Sequence, residues 1–272
     1  MKQVIISAGF DDLKSGHMRF LQEAARFGDV NVLLWSDDVV RAVCGKAPKF
    51  PQAERKYLLQ AVRYVKDVSI FDGKLESNSL PAMDVKPDVW VVDETGDSPA
   101  KKAFCRANGL EYRVITCEEI IGFPDPQGLD VDATAGRRKV VVTGCYDWFH
   151  SGHVRFFEEV SELGDLYVVV GHDENIKYLK GEGHPLLKQD ERRYVVASIV
   201  YVKQCFVSTG MGWLDAEPEI RRIKPDMYAV NEDGDKPEKR EFCEIMGIKY
   251  VVLKRTPKEG LTRRTSTNLR GF

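Results

Sequence analysis

Two histidines, His150 and His153, stand three residues apart in the stretch GCYDWFHSGH, residues 144–153. The stretch follows a strand-like run, residues 139–142, and precedes a segment with helical apolar spacing, so it lies at a strand-to-helix turn. Ser151 is expected to cap that helix, whose free N–H groups and positive dipole end then point into the ligand crevice of a parallel sheet. Two imidazoles beside such amides can stabilise the negative charge that builds on a phosphate during substitution at phosphorus.

Two histidines at this spacing can also bind a metal ion, but no third Cys, His or carboxylate follows at a ligand spacing. The six cysteines form no CxxC pair, so reduced thiols are expected rather than a zinc site or a disulfide framework. We therefore expect no metal ligands from the protein itself.

The composition is that of a soluble globular protein. The chain has 272 residues, of which 43% are hydrophobic and 30% charged, enough for one large or two modest domains. The net charge is −2 and the 40 basic residues are scattered, which gives no electrostatic support for binding nucleic acid or a membrane surface. No stretch approaches the ~20 apolar residues of a membrane span, and a cytoplasmic location is expected.

An internal repeat organises the chain. The spacing that separates His17 from His153 also separates Asp11 from Asp147, Arg19 from Arg155 and Gly28 from Gly164. One residue of drift pairs Glu54-Arg55 with Glu191-Arg192, and a second pairs Phe104-Cys105 with Phe242-Cys243. Matches this dense over more than a hundred residues predict a tandem duplication.

Each copy alternates apolar strands with helices, which predicts parallel pairing through helical crossovers. The predicted fold is α/β, with two tandem Rossmann-like doubly wound parallel-sheet domains. Residues 1–121 form the first domain and residues 138–272 the second. Residues 122–137 lack periodicity and are predicted to be a linker.

The stretch GCYDWFHSGH resembles the HxGH signature, G-x-F-D-x-x-H-x-G-H, of the nucleotidyltransferase superfamily, in its cytidylyltransferase-like branch. The resemblance extends over residues 139–270 and more weakly over residues 2–116. It implies an enzyme that transfers a nucleoside monophosphate from a nucleoside triphosphate to a phosphorylated small molecule and releases pyrophosphate, with Mg²⁺ bound to the triphosphate. CTP is the favoured donor, and ATP acting on a sugar phosphate or a similar acceptor is the alternative.

The resemblance also implies roles for particular residues. His150 and His153 contact the triphosphate, Lys180 closes on phosphates from a mobile Gly-rich loop, and Arg192 meets the nucleotide; these four form the implied catalytic set. The implied nucleotide-binding residues are Gly144, Cys145, Tyr146, Asp147, Gly152, Arg255, Thr256, Ser266 and Thr267. The implied acceptor-binding residues are Asp147, Trp148 and Lys177.

The family's second signature, R-T-x-G-I-S-T, has a looser counterpart in Arg255-Thr256 and Ser266-Thr267, separated by an insertion. Either Arg255 or Arg264 is the triphosphate arginine. Asp233 and Asp235 could touch base, ribose or magnesium, although a turn explains them equally well.

The first copy has Lys14 in place of the first histidine and no closing Ser-Thr pair. We therefore expect it to be degenerate and non-catalytic, and to pack with the second as an internal pseudo-dimer, with a homodimer as a further option. Ethanolamine-phosphate cytidylyltransferases have a similar tandem layout, but there the second copy lost the signature.

Two other functions are open. A regulatory protein could bind nucleotide without turnover, and an aminoacyl-tRNA ligase shares an HxGH-type loop but needs a longer chain and a basic surface. Ethanolamine, choline, glycerol, sugar and polyol phosphates are all candidate acceptors. An aromatic box would suit a methylated ammonium group; its candidate members, which core packing explains as well, are Trp148, Phe149, Tyr178 and Trp213.

Overall fold

The computed structural model describes residues 1–74, 76, 78–83, 86–124 and 136–265. The chain divides into two compact units, Met1–Gly122 and Phe123–Phe272. Most of the predicted linker, and the predicted site residues Ser266 and Thr267, lie outside the described residues.

The elements of the first unit are, in chain order, β1 (Gln3–Ala8), α1 (Ser15–Ala24), β2 (Asp29–Trp35), α2 (Asp37–Cys44), α3 (Gln52–Gln60), β3 (Val65–Phe71), β4 (Val89–Asp93), α4 (Pro99–Asn108) and β5 (Glu111–Ile115). The five strands form a parallel sheet in the order β3-β2-β1-β4-β5.

The elements of the second unit are β6 (Lys139–Gly144), α5 (Ser151–Leu163), β7 (Asp165–Val170), α6 (Asp173–Lys180), α7 (Gln189–Ala197), β8 (Val202–Val207), α8 (Glu217–Ile223), β9 (Met227–Asn231), α9 (Pro237–Met246) and β10 (Lys249–Leu253). Its sheet, in the order β10-β9-β6-β7-β8, repeats the topology of the first. The predicted α/β fold with two parallel sheets is confirmed.

The central strands are buried because they are continuous apolar runs. Val140, Val141 and Val142 of β6 are completely buried, and β7 is buried along its whole length. Continuous apolar runs are typical of strands covered on both faces, whereas alternating patterns mark strands with one wet face. Among the described helices, none combines the length and the apolar composition that a membrane crossing needs.

The strand order reverses at β6, since β7 lies on one side and β9 on the other. In open parallel sheets the connections diverge at such a point and leave a crevice at the carboxyl ends of the strands. The loop from β6 to α5 carries the two histidines, so the topology places them at this crevice.

The segment with Lys177 and Lys180 is helix α6 and not the mobile loop that was predicted. His172 caps the helix by accepting the N–H of Asn175, and Asp173 and Glu174 occupy its first turn. Acidic residues at the start and lysines at the end both complement the helix dipole. Glycines follow only after Lys180, which is the last helical residue.

Candidate active site

The helix cap of α5 is His150 and not Ser151, which is the first helical residue. His150 has extended backbone angles, φ −150° and ψ 172°, and its Nδ1 accepts the N–H of Gly152 at 3.0 Å. In return Nδ1 of His153 accepts the backbone N–H of His150 at 3.3 Å. An imidazole nitrogen thus takes the place of the usual cap oxygen, which fixes both rings at the start of the helix.

The two imidazoles stack on each other, with ring centroids 3.9 Å apart and planes inclined by 22°. His153 is half-buried and lines a cavity, whereas His150 is only 1% exposed. Within the described ranges, Nε2 of His150 has no hydrogen-bond partner although it is buried. The structure therefore brings the pair together as predicted, with one ring at the cavity wall and the other behind it.

Two glycines of the signature leave room for neighbouring rings, Gly152 for the imidazole of His150 and Gly144 for the phenol of Tyr146. A Cβ on Gly152 would lie 2.9 Å from Cε1 of His150, and a Cβ on Gly144 would lie 2.7 Å from Cζ of Tyr146. Tyr146 itself adopts a positive φ of 55°, as does Phe10 at 44° at the matching place in the first unit. Side chains at either glycine would displace the ring packed against it.

The cavity has a volume of about 570 Å³ and opens at the carboxyl ends of β6 and β9. Nine of the residues that the sequence predicted line it: Gly144, Cys145, Tyr146, Asp147, Trp148, Gly152, His153, Lys180 and Arg255. The sequence also singled out Asp233, which lies there too. Lining residues that sequence reasoning missed include Phe156, His184, Val230, Asn231, Lys239 and Thr265. Asn231 could have been predicted from the sequence, because it ends β9 and polar residues at the carboxyl ends of parallel strands commonly form ligand sites.

The electrostatics of the imidazoles follow from burial and from neighbouring cations. Burial lowers the pKa of His150 to about 3, and the charges of Arg255 and Arg264 add to the effect. The pKa of His153 is also far below its ordinary value, first because of burial and then because of His150, Arg255 and Lys180. Both rings are therefore neutral near pH 7, and the cations around them would be balanced by an anionic ligand.

Arg255 is held against the cavity by Asp233, with which it forms an ion pair, and by the carbonyl oxygen of Arg264 at 3.2 Å. Arg264 and Thr256 line a small neighbouring cleft instead of the main cavity. Of the two arginines that the sequence left open, Arg255 is the one at the cavity.

The predicted catalytic contact of Arg192 does not fit its placement. The side chain is completely buried, and its guanidinium donates to the carbonyl oxygens of Leu187, Cys145 and Gly171 and to Asp173. Arg192 is absent from the cavity lining. Its bonds position the loop that carries Cys145, and a nucleotide contact was expected because local sequence does not reveal which arginines are buried.

Two predicted acceptor residues differ from expectation. Lys177 lies outside the cavity lining, is half-exposed and pairs with Glu182 at 3.1 Å. Asp147 lies in the lining, but both its oxygens accept the N–H of Leu186 and one also that of Leu187, so it anchors the segment after α6. The aromatic box does not assemble either, because Trp148 is the only one of its four candidate residues in the lining.

No group of three or more His, Cys, Asp or Glu side chains among the described residues is arranged to hold a metal ion. Magnesium bound to a triphosphate therefore stays a prediction from the resemblance.

The first unit has a cavity of about 790 Å³ at the matching place. Lys14, which stands where the second unit has His150, pairs with Asp12 at 3.3 Å. Cys117 stands where the second unit has Arg255, and its backbone N–H donates to Glu94. The first unit therefore lacks a guanidinium at this place, where a triphosphate would need a cation.

A parallel α/β sheet with imidazoles and cations gathered at its switch-point cavity defines a nucleotide-binding protein of the Rossmann-like class. The cytidylyltransferase-like family model matches residues 141–269. The FAD synthase of Ferroglobus placidus (strain DSM 10642 / AEDII12DO) is 36% identical over 125 residues, which are 45% of this chain and 78% of that protein.

The bifunctional protein HldE of Desulfatibacillum aliphaticivorans is 31% identical over 121 residues, which are 43% of this chain and 24% of HldE. The chain thus spans about a quarter of that relative. The lipopolysaccharide core biosynthesis protein from Thermoplasma volcanium GSS1, a solved structure, is 21% identical with a TM-score of 0.38 and covers 46% of this chain and 100% of its own. The chain belongs to the cytidylyltransferase-like family, and it is a nucleotidyltransferase.

Proposed function

We propose that the second unit transfers a nucleoside monophosphate from a Mg²⁺-bound nucleoside triphosphate to the phosphate of a small molecule. An acceptor phosphate oxygen attacks the α-phosphorus, the bond from that phosphorus to the bridging oxygen breaks, and pyrophosphate leaves with the electron pair. The observation that supports this proposal is the stacked imidazole pair at the start of α5, beside a cavity lined by Arg255 and Lys180.

These groups suit a reaction whose transition state spreads negative charge over phosphate oxygens. Arg255, Lys180 and His153 line the same cavity, so one polyanion there can contact all three. A bound triphosphate would supply the negative charge that the site lacks and would raise the pKa of both imidazoles. His153, which lines the cavity, then donates a hydrogen bond to the charge that develops during transfer, with the His150 ring stacked behind it.

Two similarities bear on which base the donor triphosphate carries. The family resemblance favours CTP, and the similarity to an FAD synthase favours ATP, because FAD contains an adenylyl group. We propose ATP first and CTP second. The acceptor must carry a phosphate in either case.

Pyrophosphate release from each of the four nucleoside triphosphates, measured against a panel of phosphorylated metabolites, tests the proposal. Turnover with one donor and its loss in His153→Ala are expected. Nucleotide binding without pyrophosphate from any pair would instead identify a regulatory nucleotide-binding protein.

A further inference from the structure

Lys239, the third residue of α9, is a charged residue of the cavity wall that the proposed transfer does not use. The side chain is 8% exposed and lines the cavity. Within the described part of the chain, Nζ makes one hydrogen bond, to Oγ1 of Thr143 at 3.3 Å, and lies 5.6 Å from the ring centroid of Tyr228. An ammonium has three donors, so two remain for a ligand.

The nearby carboxylates do not satisfy this ammonium. Asp215 raises the pKa of Lys239, but burial lowers it more, and Asp215 accepts the hydroxyl of Ser208 at 2.6 Å. Asp235 also raises the pKa of Lys239, but it forms an ion pair with Arg240. A buried cation without a paired anion is costly, and a ligand oxygen at this wall would offset that cost.

The cations of the cavity come from different elements of the second unit. Lys180 is the last residue of α6 and Arg255 follows β10, whereas Lys239 lies in the first turn of α9 and bonds to Thr143 of β6. In-line transfer places the attacking group and the leaving pyrophosphate on opposite sides of the α-phosphorus, so cations from different elements can serve the two substrates separately.

We propose that Lys239 binds oxygen atoms of the acceptor and so selects a phosphorylated polyol or sugar over a phosphorylated amine. The inference rests on the proposed function, which supplies the acceptor. Hydroxyl or carboxylate oxygens can accept hydrogen bonds from the ammonium, whereas the cationic group of an amine acceptor would be repelled by it.

The first unit offers a matched control. Lys101 occupies the corresponding place in α4, and its Nζ lies 5.6 Å from the ring of Trp90, as Lys239 lies from Tyr228. The Lys101 ammonium, however, donates to the carbonyl oxygen of Gly96, so the first unit uses this lysine for its own loop.

The experiment compares the full chain with its Lys239→Met and Lys101→Met variants in the pyrophosphate-release assay. Glycerol phosphate and glucose phosphate are the oxygen-rich acceptors, and phosphocholine and phosphoethanolamine are the amines. We expect the wild type to favour an oxygen-rich acceptor by about 10-fold or more in kcat/KM. Lys239→Met should raise the acceptor KM by about 10-fold and leave the triphosphate KM within about twofold. Lys101→Met should match the wild type.

A rise confined to the triphosphate KM, or equal use of amine acceptors, would overturn the inference. If no pair releases pyrophosphate, the proposed function fails, and calorimetric titration with the same four acceptors then judges Lys239 separately. Binding of an oxygen-rich acceptor that Lys239→Met abolishes and Lys239→Arg restores supports the inference. Binding that the substitution leaves unchanged, or no binding at all, overturns it.

Discussion

Arg55 in the first unit and Arg192 in the second make the same set of bonds. Each is completely buried, donates to three backbone carbonyl oxygens and pairs with the aspartate that begins the helix after the second strand, Asp37 or Asp173. Asp11 likewise accepts two successive backbone N–H groups, as Asp147 does. Residues that the two units share at these places therefore build the loop, whether or not the unit carries out chemistry.

The units differ where this loop meets the cavity. His17 accepts the N–H of Lys14 just as His153 accepts that of His150, yet only the second unit adds a second ring. A Cβ on Gly16 would have open space around it, whereas Gly152 lies against His150. The capping histidine is therefore shared by the two units, as His17 and His153, whereas the second ring, His150, with a glycine packed against it, is found in the second unit.

Substitution of the buried arginines should have the largest effect. Arg55→Met and Arg192→Met are each expected to lower the free energy of unfolding by about 3–5 kcal/mol, because each leaves carbonyl oxygens and a partly exposed aspartate without their buried donor. Urea unfolding measures both. If Arg192→Met kept full stability and lost only turnover, the arginine would act on substrate directly. That result would contradict the structural role that Arg55 and Arg192 are inferred to share.

Substitution of His153 and of its counterpart His17 should distinguish a catalytic role from a helix-capping role. His153→Ala is expected to reduce kcat by about 10²- to 10³-fold, because it removes a preorganised donor at the transferred phosphate. His17→Ala should leave kcat unchanged while both variants lose about 0.5–2 kcal/mol of stability with the cap. Equal losses of rate in the two variants would show that the first unit also takes part in catalysis.

Alanine substitutions of Gly152 and Gly16 should change the stability of the protein in opposite directions, and by less than the arginine substitutions above. Gly152→Ala is expected to destabilise the protein by about 1–3 kcal/mol and to reduce kcat, because the new methyl group must displace the His150 ring. Gly16→Ala should stabilise the protein by up to about 1 kcal/mol, since alanine favours the helix and meets no neighbour. Thermal unfolding and the pyrophosphate assay measure the two effects, and matching shifts would contradict the packing argument.

The smallest expected effect is the change in unfolding free energy with pH that His150 causes. His150 has a pKa of about 3 in the folded protein and about 6.5 when unfolded, so the unfolded chain binds more protons as pH falls through this range. Stability is therefore fully present above about pH 6.5 and is lost on acidification, by about 1 kcal/mol between about pH 6.5 and pH 5.5 for this one residue.

His150→Asn keeps a capping acceptor without a titrating group, so its unfolding free energy should change less with acid than that of the wild type. Lys14→Asn in the first unit is the control and should not alter the pH dependence. An imidazole of His150 that titrates near pH 6.5 by NMR would contradict the burial on which this expectation depends.

Local sequence was enough to predict the strands and the position of the histidine loop. Runs such as Val140-Val141-Val142 mark buried parallel strands, and the strand order then places GCYDWFHSGH at the crevice. The capping acidic residues and terminal lysines of α6 were also present in the sequence as helix signals.

Only the tertiary structure decided which charged side chains face the ligand. Lys239 and Thr143 are 96 residues apart in the chain and meet because β6 and β9 pair in the sheet. Arg192 and Lys239 look alike in sequence, as charged residues on short helices. Arg192, however, donates its hydrogen bonds to backbone carbonyl oxygens, whereas Lys239 keeps N–H donors that face the cavity. That difference depends on which groups the folded chain brings within hydrogen-bonding distance, and helical spacing alone carries no record of it.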